Sequence, residues 1–183
     1  ELFDDPKYKV YYDSNKLSTK RMINCNANER KTGREIIFWG VPCIFPQANN
    51  LDKIVKLIMS DNDVLFDKEK AKIVLEVSTD RQVSYYYSGL IYIGLVKSNK
   101  TLNDETLAAK NDMSKVKTLI IEKLLKKELF SKLYYDFENK EIDNELIIEE
   151  VKKINSRLNI DTIKRRASTV KAWLEWIFLN QLN

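Results

Sequence analysis

Thr162, Lys164, Arg165, Ser168, Thr169 and Lys171 lie within ten residues and carry the clearest chemistry in this chain. Cationic and hydroxyl side chains in one short stretch suit phosphate oxygens and base edges, the two kinds of acceptor on a nucleic acid. Between Arg157 and Lys171 five basic residues face one acid, Asp161, so this window holds +4, the net charge of the whole chain. Any acidic partner must therefore be met by a local patch rather than by the overall field. A second group, Arg81, Gln82, Ser84, Tyr85 and Ser88, has the same character. Gln pairs with adenine and Arg with guanine, while the hydroxyls hold phosphate. Lys97 and Lys100 add candidate phosphate contacts. The plain alternative for each group is a solvated helix face.

These residues need elements to place them. Ile163, Ala167, Val170, Leu174 and Ile177 recur at steps of four and three, one face of a helix, with Lys164, Arg165, Ser168 and Lys171 opposite. Thr162 and Thr169 fall at the margins. Arg166 lies nearer the apolar flank with Trp173, and Trp173 and Trp176 read as packing residues. Upstream, Leu51, Ile54, Val55, Ile58 and Met59 predict one helix, and Asp67 caps a second through Ala71, Val74 and Leu75. Ser78-Thr79-Asp80 caps a third, from Arg81 to about Ile93, with Val83, Tyr87, Leu90 and Ile91 inward and Gly94 as its stop. Arg81, Gln82, Ser84, Tyr85 and Ser88 then face outward. Leu95-Val96, a turn at Ser98-Asn99-Lys100, and Thr101-Leu102 predict a hairpin, the order of a winged helix. A second round follows: Ser114 caps a helix with Val116, Leu119, Ile120, Leu124 and Leu125 inward. Another helix spans about Asn144 to Ile154, and Asn159 to Asp161 lead into the basic helix.

The chain is therefore expected to be mainly α with short β hairpins. Tandem winged-helix units at 49–110 and 111–183 follow an irregular segment at 1–48, with short strands at Tyr8–Tyr12 and Glu35–Trp39. At 183 residues there is enough chain to bury a real core. No apolar run is long enough to span a membrane. The absence of an initiator Met suggests a mature form, a proteolytic product or an excised segment. Cys25 and Cys43, with no histidine anywhere, make a zinc site unsupported and suit free thiols in a reducing cytoplasm. The lack of histidine also removes the commonest general base.

Metal-dependent cutting would need carboxylates and a lysine at paired strand ends. The nearest match, Asp63 or Asp67 with Leu75-Glu76-Val77-Ser78, has Ser78 where the lysine belongs and reads as helix. Asp61, Asp63, Asp67 and Glu69 lack the glycine and twelfth-position glutamate of a calcium loop, so turn and capping roles are expected. No glycine-rich phosphate loop is present. No cofactor is expected within this chain.

Two blocks resemble modules of prokaryotic restriction enzymes. Asp80-Arg81-Gln82-Val83-Ser84-Tyr85-Tyr86-Tyr87-Ser88-Gly89-Leu90-Ile91-Tyr92-Ile93-Gly94-Leu95-Val96 resembles the recognition helix of their winged-helix domains. Thr101-Leu102-Asn103-Asp104-Glu105-Thr106-Leu107 is similar to the end of that wing, without its usual glycine. Thr162 to Ile177 resembles the helix that often follows. The resemblance covers about residues 45 to 180. It implies the tandem winged-helix, sequence-reading part of a type II restriction endonuclease, bound to double-stranded DNA with each recognition helix in a major groove. The Mg²⁺-dependent nuclease domain would lie elsewhere in the parent protein. A winged-helix transcriptional regulator, a winged-helix protein-interaction domain and an enzyme complete within this chain are the rival readings.

Overall fold

The computed structural model describes residues 46–61, 64–65, 67–97, 101–137, 141–154 and 158–181. All lie within one compact unit, Phe45–Asn183. The expected strands at 8–12 and 35–39 lie outside the described residues. The chain is mainly α. Among the described residues, helices are α1 (Leu51–Met59), α2 (Lys68–Leu75), α3 (Asp80–Ile93), α4 (Asp104–Ala109), α5 (Met113–Leu125), α6 (Glu128–Phe137), α7 (Asn144–Ile154) and α8 (Ile160–Gln181).

Short polar side chains start these helices where the chain must turn. Asn50 caps α1 by accepting from the Lys53 amide, and Asp67 caps α2 through the Glu69 and Lys70 amides. Each satisfies donors that the first turn leaves without a partner. Four residues, Glu76 to Thr79, join α2 to α3, with Glu76 in the left-handed region at φ 51°. Lys53 of α1 donates to the Leu75 carbonyl, and Lys56 Nζ reaches Glu76 Oε1 at 3.2 Å. Cations from α1 thus meet the carbonyl end of α2, where the helix dipole favours them.

Gly94 ends α3 at φ 86°, a conformation glycine adopts without steric cost. Beyond it, Val96 and Leu102 form one antiparallel bridge, closed by Lys97 N to Thr101 O at 2.7 Å. Among the described residues this bridge is all that appears of the expected hairpins. The return arm soon becomes α4, because Asn103 accepts from the Thr106 amide at 2.8 Å and nucleates a turn. The cap of α5 is Asp112, not Ser114: its carboxylate accepts from the Ser114 and Lys115 amides. A further helix, α6, begins after a break at Lys126 and Lys127.

One core joins the stretches on either side of residue 110. Trp173, fully buried on α8, stacks near Phe130 of α6 at 5.9 Å and tilts against Tyr92 of α3 at 6.0 Å. Its indole Nε1 donates to the Ala48 carbonyl at 2.6 Å, and Trp176 Nε1 donates to Asp52 Oδ1 at 2.8 Å. α7 packs along α8, and α5 packs against α1, α3, α4 and α6. The apolar face expected of α8 is buried throughout: Ile163, Ala167, Val170, Leu174 and Ile177. Burying each large aliphatic side chain contributes about 1.5–3 kcal/mol, so this stripe anchors the helix. Tyr87 and Ile91, expected inward on α3, are only partly buried; Ile93 and Gly89 take the deeper places.

Candidate nucleic-acid interface

The first turn of α3 is held by a reciprocal cap. Thr79 Oγ1 accepts from the Gln82 amide at 3.3 Å, while Gln82 Oε1 accepts from the Thr79 amide at 3.2 Å. Gln82 is exposed, yet its carbonyl oxygen is occupied by Ser78 and Thr79 donors. Two-point pairing with adenine needs that oxygen as well as the amide nitrogen. Only the nitrogen remains for a partner.

Arg81 stands exposed one residue earlier. Its Nε donates to the Tyr85 hydroxyl at 2.5 Å, and its guanidinium lies 5.7 Å from that ring's centre. Ser84 Oγ is tied back to the Asp80 carbonyl at 2.9 Å. Ser88 corrects the sequence expectation. It is buried and bonded to the Ser84 carbonyl at 2.7 Å. Its neighbour Gly89 explains the burial: a Cβ there would stand 2.9 Å from Ile54 Cδ1. This half of α3 is pressed on α1, leaving only the N-terminal half open.

On α8, Lys164, Arg165 and Ser168 are exposed as expected. Thr162 is partly buried and accepts from Arg165 Nη2 at 3.2 Å. Lys171 is partly buried and stands 3.9 Å from Glu175. Thr169 is a second correction: it is fully buried, and its hydroxyl donates to Asn49 Oδ1 at 2.6 Å. It fastens α8 to the start of α1 and has no face for a partner. On the bridged loop, Lys97 is exposed but paired with Asp104 at 2.7 Å. Lys100 lies outside the described residues.

The two helices that carry the candidate groups meet at one ring contact. Tyr92 touches Trp173, and Tyr85 acts electrostatically on Arg166. The ring contact lies toward the C-terminal half of each helix, well away from Arg81 and Arg165. Arg81 lies in the first turn of α3, and Arg165 and Arg166 lie in the second turn of α8. They are the three arginines among the described residues, and none has a carboxylate partner. Lysines elsewhere are commonly paired, as Lys72 is with Asp80 and Lys123 with Glu105. Burial lowers the Arg166 pKa, the adjacent Arg165 lowers it further, and Tyr85 opposes both.

The sequence expectation that Arg166 lies nearer the apolar flank agrees with its partly buried place on α8. No group of three or more metal-binding side chains occurs among the described residues. Asp67, weighed as a metal carboxylate, caps α2 with its side chain, and the Glu76 carboxylate pairs with Lys56; Asp63 lies outside the described residues.

Among the described residues no helix is long and apolar enough to cross a membrane. Neither the curated proteins nor the solved structures contain a match to the chain. A family described as a domain of unknown function, DUF7226, matches residues 53–182, from the first turn of α1 to beyond the end of α8. With both candidate helices inside that span, the chain belongs to the DUF7226 family.

Proposed function

We propose that the Phe45–Asn183 unit is a non-catalytic module that binds double-stranded DNA in a sequence-specific way. Its winged-helix character rests on the order α1, α2, α3 and a bridged loop, with a four-residue turn before the reading helix. In this reading the module is the recognition part of a restriction endonuclease whose nuclease domain lies outside this chain. Mg²⁺ would serve that domain, and no step here runs through it.

The observation that carries the reading is that the three arginines among the described residues, Arg81 on α3 and Arg165 and Arg166 on α8, have no carboxylate partner. Arginines left without carboxylates on a surface are poised for phosphate or guanine, because the planar fork matches both. Arg81, at the open end of α3, is the candidate base reader. Lys164, Arg165 and Ser168 on α8 are the candidate phosphate holders, with Lys171 further along.

The test is selection of bound sequences from a random duplex pool, followed by affinity measured against salt. The expected outcome is enrichment of one short motif, with affinity falling steeply as salt rises. Retention of all sequences alike would reduce the reading to backbone binding. Absence of binding at low salt would overturn it and favour a protein-interaction role for the same fold.

A further inference from the structure

Gln82 is exposed in the first turn of α3, but its side-chain oxygen is engaged within the protein. Four donors converge on Oε1. They are the Ser78 amide at 3.2 Å, the Thr79 amide at 3.2 Å, the Thr79 hydroxyl at 3.0 Å and the Ser78 hydroxyl at 3.4 Å. Two of them are backbone N–H groups, which can only donate. The atom they share must therefore be the oxygen, and turning the amide over would set NH₂ against both N–H groups. The capping box thus fixes which end of this side chain is left for a partner. The amide nitrogen has no hydrogen-bond partner among the described residues.

A glutamine with both ends free offers an acceptor and a donor, the pattern that matches N6 and N7 of adenine. Gln82 offers donors alone. Adenine sets one acceptor, N7, beside its own N6 donor, which the second hydrogen of the amide would oppose. Cytosine presents only a donor in the major groove. Guanine presents two adjacent acceptors, N7 and O6, and the two hydrogens of one NH₂ can serve both. We infer that Gln82 is a specificity-determining residue that donates to guanine and selects against adenine and cytosine, because the cap of its own helix consumes its acceptor. The inference rests on the proposed DNA reading. Arg81, one residue earlier, also carries donors alone, so the first turn of α3 favours guanine-containing sites.

The experiment uses the full chain as wild type, Gln82→Glu and Arg81→Ala. Glu also closes a capping box, so Gln82→Glu keeps an oxygen for the Ser78 and Thr79 amides, and its Tm should stay at or above that of wild type. The outward atom changes from a donor to an acceptor, which suits N4 of cytosine. Each protein is put through selection from a random duplex pool, and affinities are then measured on single-position variants of the selected site. The added negative charge weakens all duplexes alike, so the readout is relative preference at each position. Wild type is expected to favour guanine over adenine and cytosine by about tenfold at one position, and Gln82→Glu to favour cytosine there while the other positions hold. A guanine analogue that lacks N7 tests the same contact should Gln82→Glu not fold: Arg81→Ala is expected to remain sensitive to it at one position. An unchanged motif in Gln82→Glu would overturn the inference and leave DNA binding intact. So would a preference for adenine at the position that Gln82→Glu alters, or loss of all N7 sensitivity in Arg81→Ala. Retention of all duplexes alike by wild type would overturn both base reading and the inference. A wild type that binds no duplex at low salt would overturn the DNA reading itself, and the inference with it.

Discussion

Trp173 donates its indole N–H to the carbonyl of Ala48, 125 positions earlier, at 2.6 Å. The bond secures the longest helix to the chain just before α1, at the place where α3 also packs. A large ring and a satisfied carbonyl are both lost when this residue is cut back. Trp173→Ala is expected to destabilise the protein by about 3–5 kcal/mol, measured by urea unfolding. Trp173→Phe keeps most of the ring but strands the Ala48 carbonyl, at about 1–3 kcal/mol.

Gly94 turns the chain from α3 into the Val96–Leu102 bridge at φ 86°. A Cβ there meets no neighbour within 4 Å, so the backbone conformation alone sets the cost. Gly94→Ala should destabilise by about 1–2 kcal/mol. A stability equal to wild type would show that the turn can relax.

The buried Glu150 on α7 accepts from Lys153 at 2.6 Å and from Lys132 of α6 at 2.9 Å. Lys153, then Lys132, hold its carboxyl below the ordinary value of 4.5. A carboxylate with a depressed folded-state pKa contributes stability that is present above the unfolded pKa. That stability is lost as pH falls through the folded pKa. The protein should therefore lose stability below about pH 4.5, and Glu150→Gln should flatten that loss in unfolding curves taken from pH 6 to 3.

Three substitutions separate readers from packing on the proposed interface. Lys164→Ala should weaken all duplexes alike and lower the salt slope by about one unit. Arg81→Ala should cost about 1–3 kcal/mol at one base position and relax selectivity there. Ser88→Ala should leave DNA affinity unchanged, because that hydroxyl is buried against the Ser84 carbonyl. Binding isotherms on the selected duplex and on its single-position variants distinguish the three.

The parts of the fold that local chemistry dictates were legible in the residues. The buried face of α8, the Asp67 cap and the Gly94 stop follow from period, short polar side chains and a positive φ. The break between α5 and α6 was not, because Lys126 and Lys127 carry no glycine or proline to mark it. Asp112 and Ser114 are both good caps two residues apart, and composition does not choose between them. Ser88 and Thr169 looked like outward hydroxyls because small polar residues bury readily once a tertiary acceptor is offered. Asn49 offers it to Thr169, while Ser88 bonds the Ser84 carbonyl one turn back on its own helix. The contact of Tyr92 with Trp173 depends on two helices far apart in the chain meeting, which no local pattern encodes.

The Tyr92–Trp173 contact, which ties α3 to α8, sets the scale of any duplex footprint under the proposed DNA reading. Packed helices lie about 8–10 Å apart, and a major groove about 12 Å wide admits one helix. Under the proposed DNA reading, α3 alone would enter the groove and α8 would ride the bordering strand. One copy then spans a single groove crossing, not two separate ones. A longer or palindromic site requires a second copy about one helical turn away.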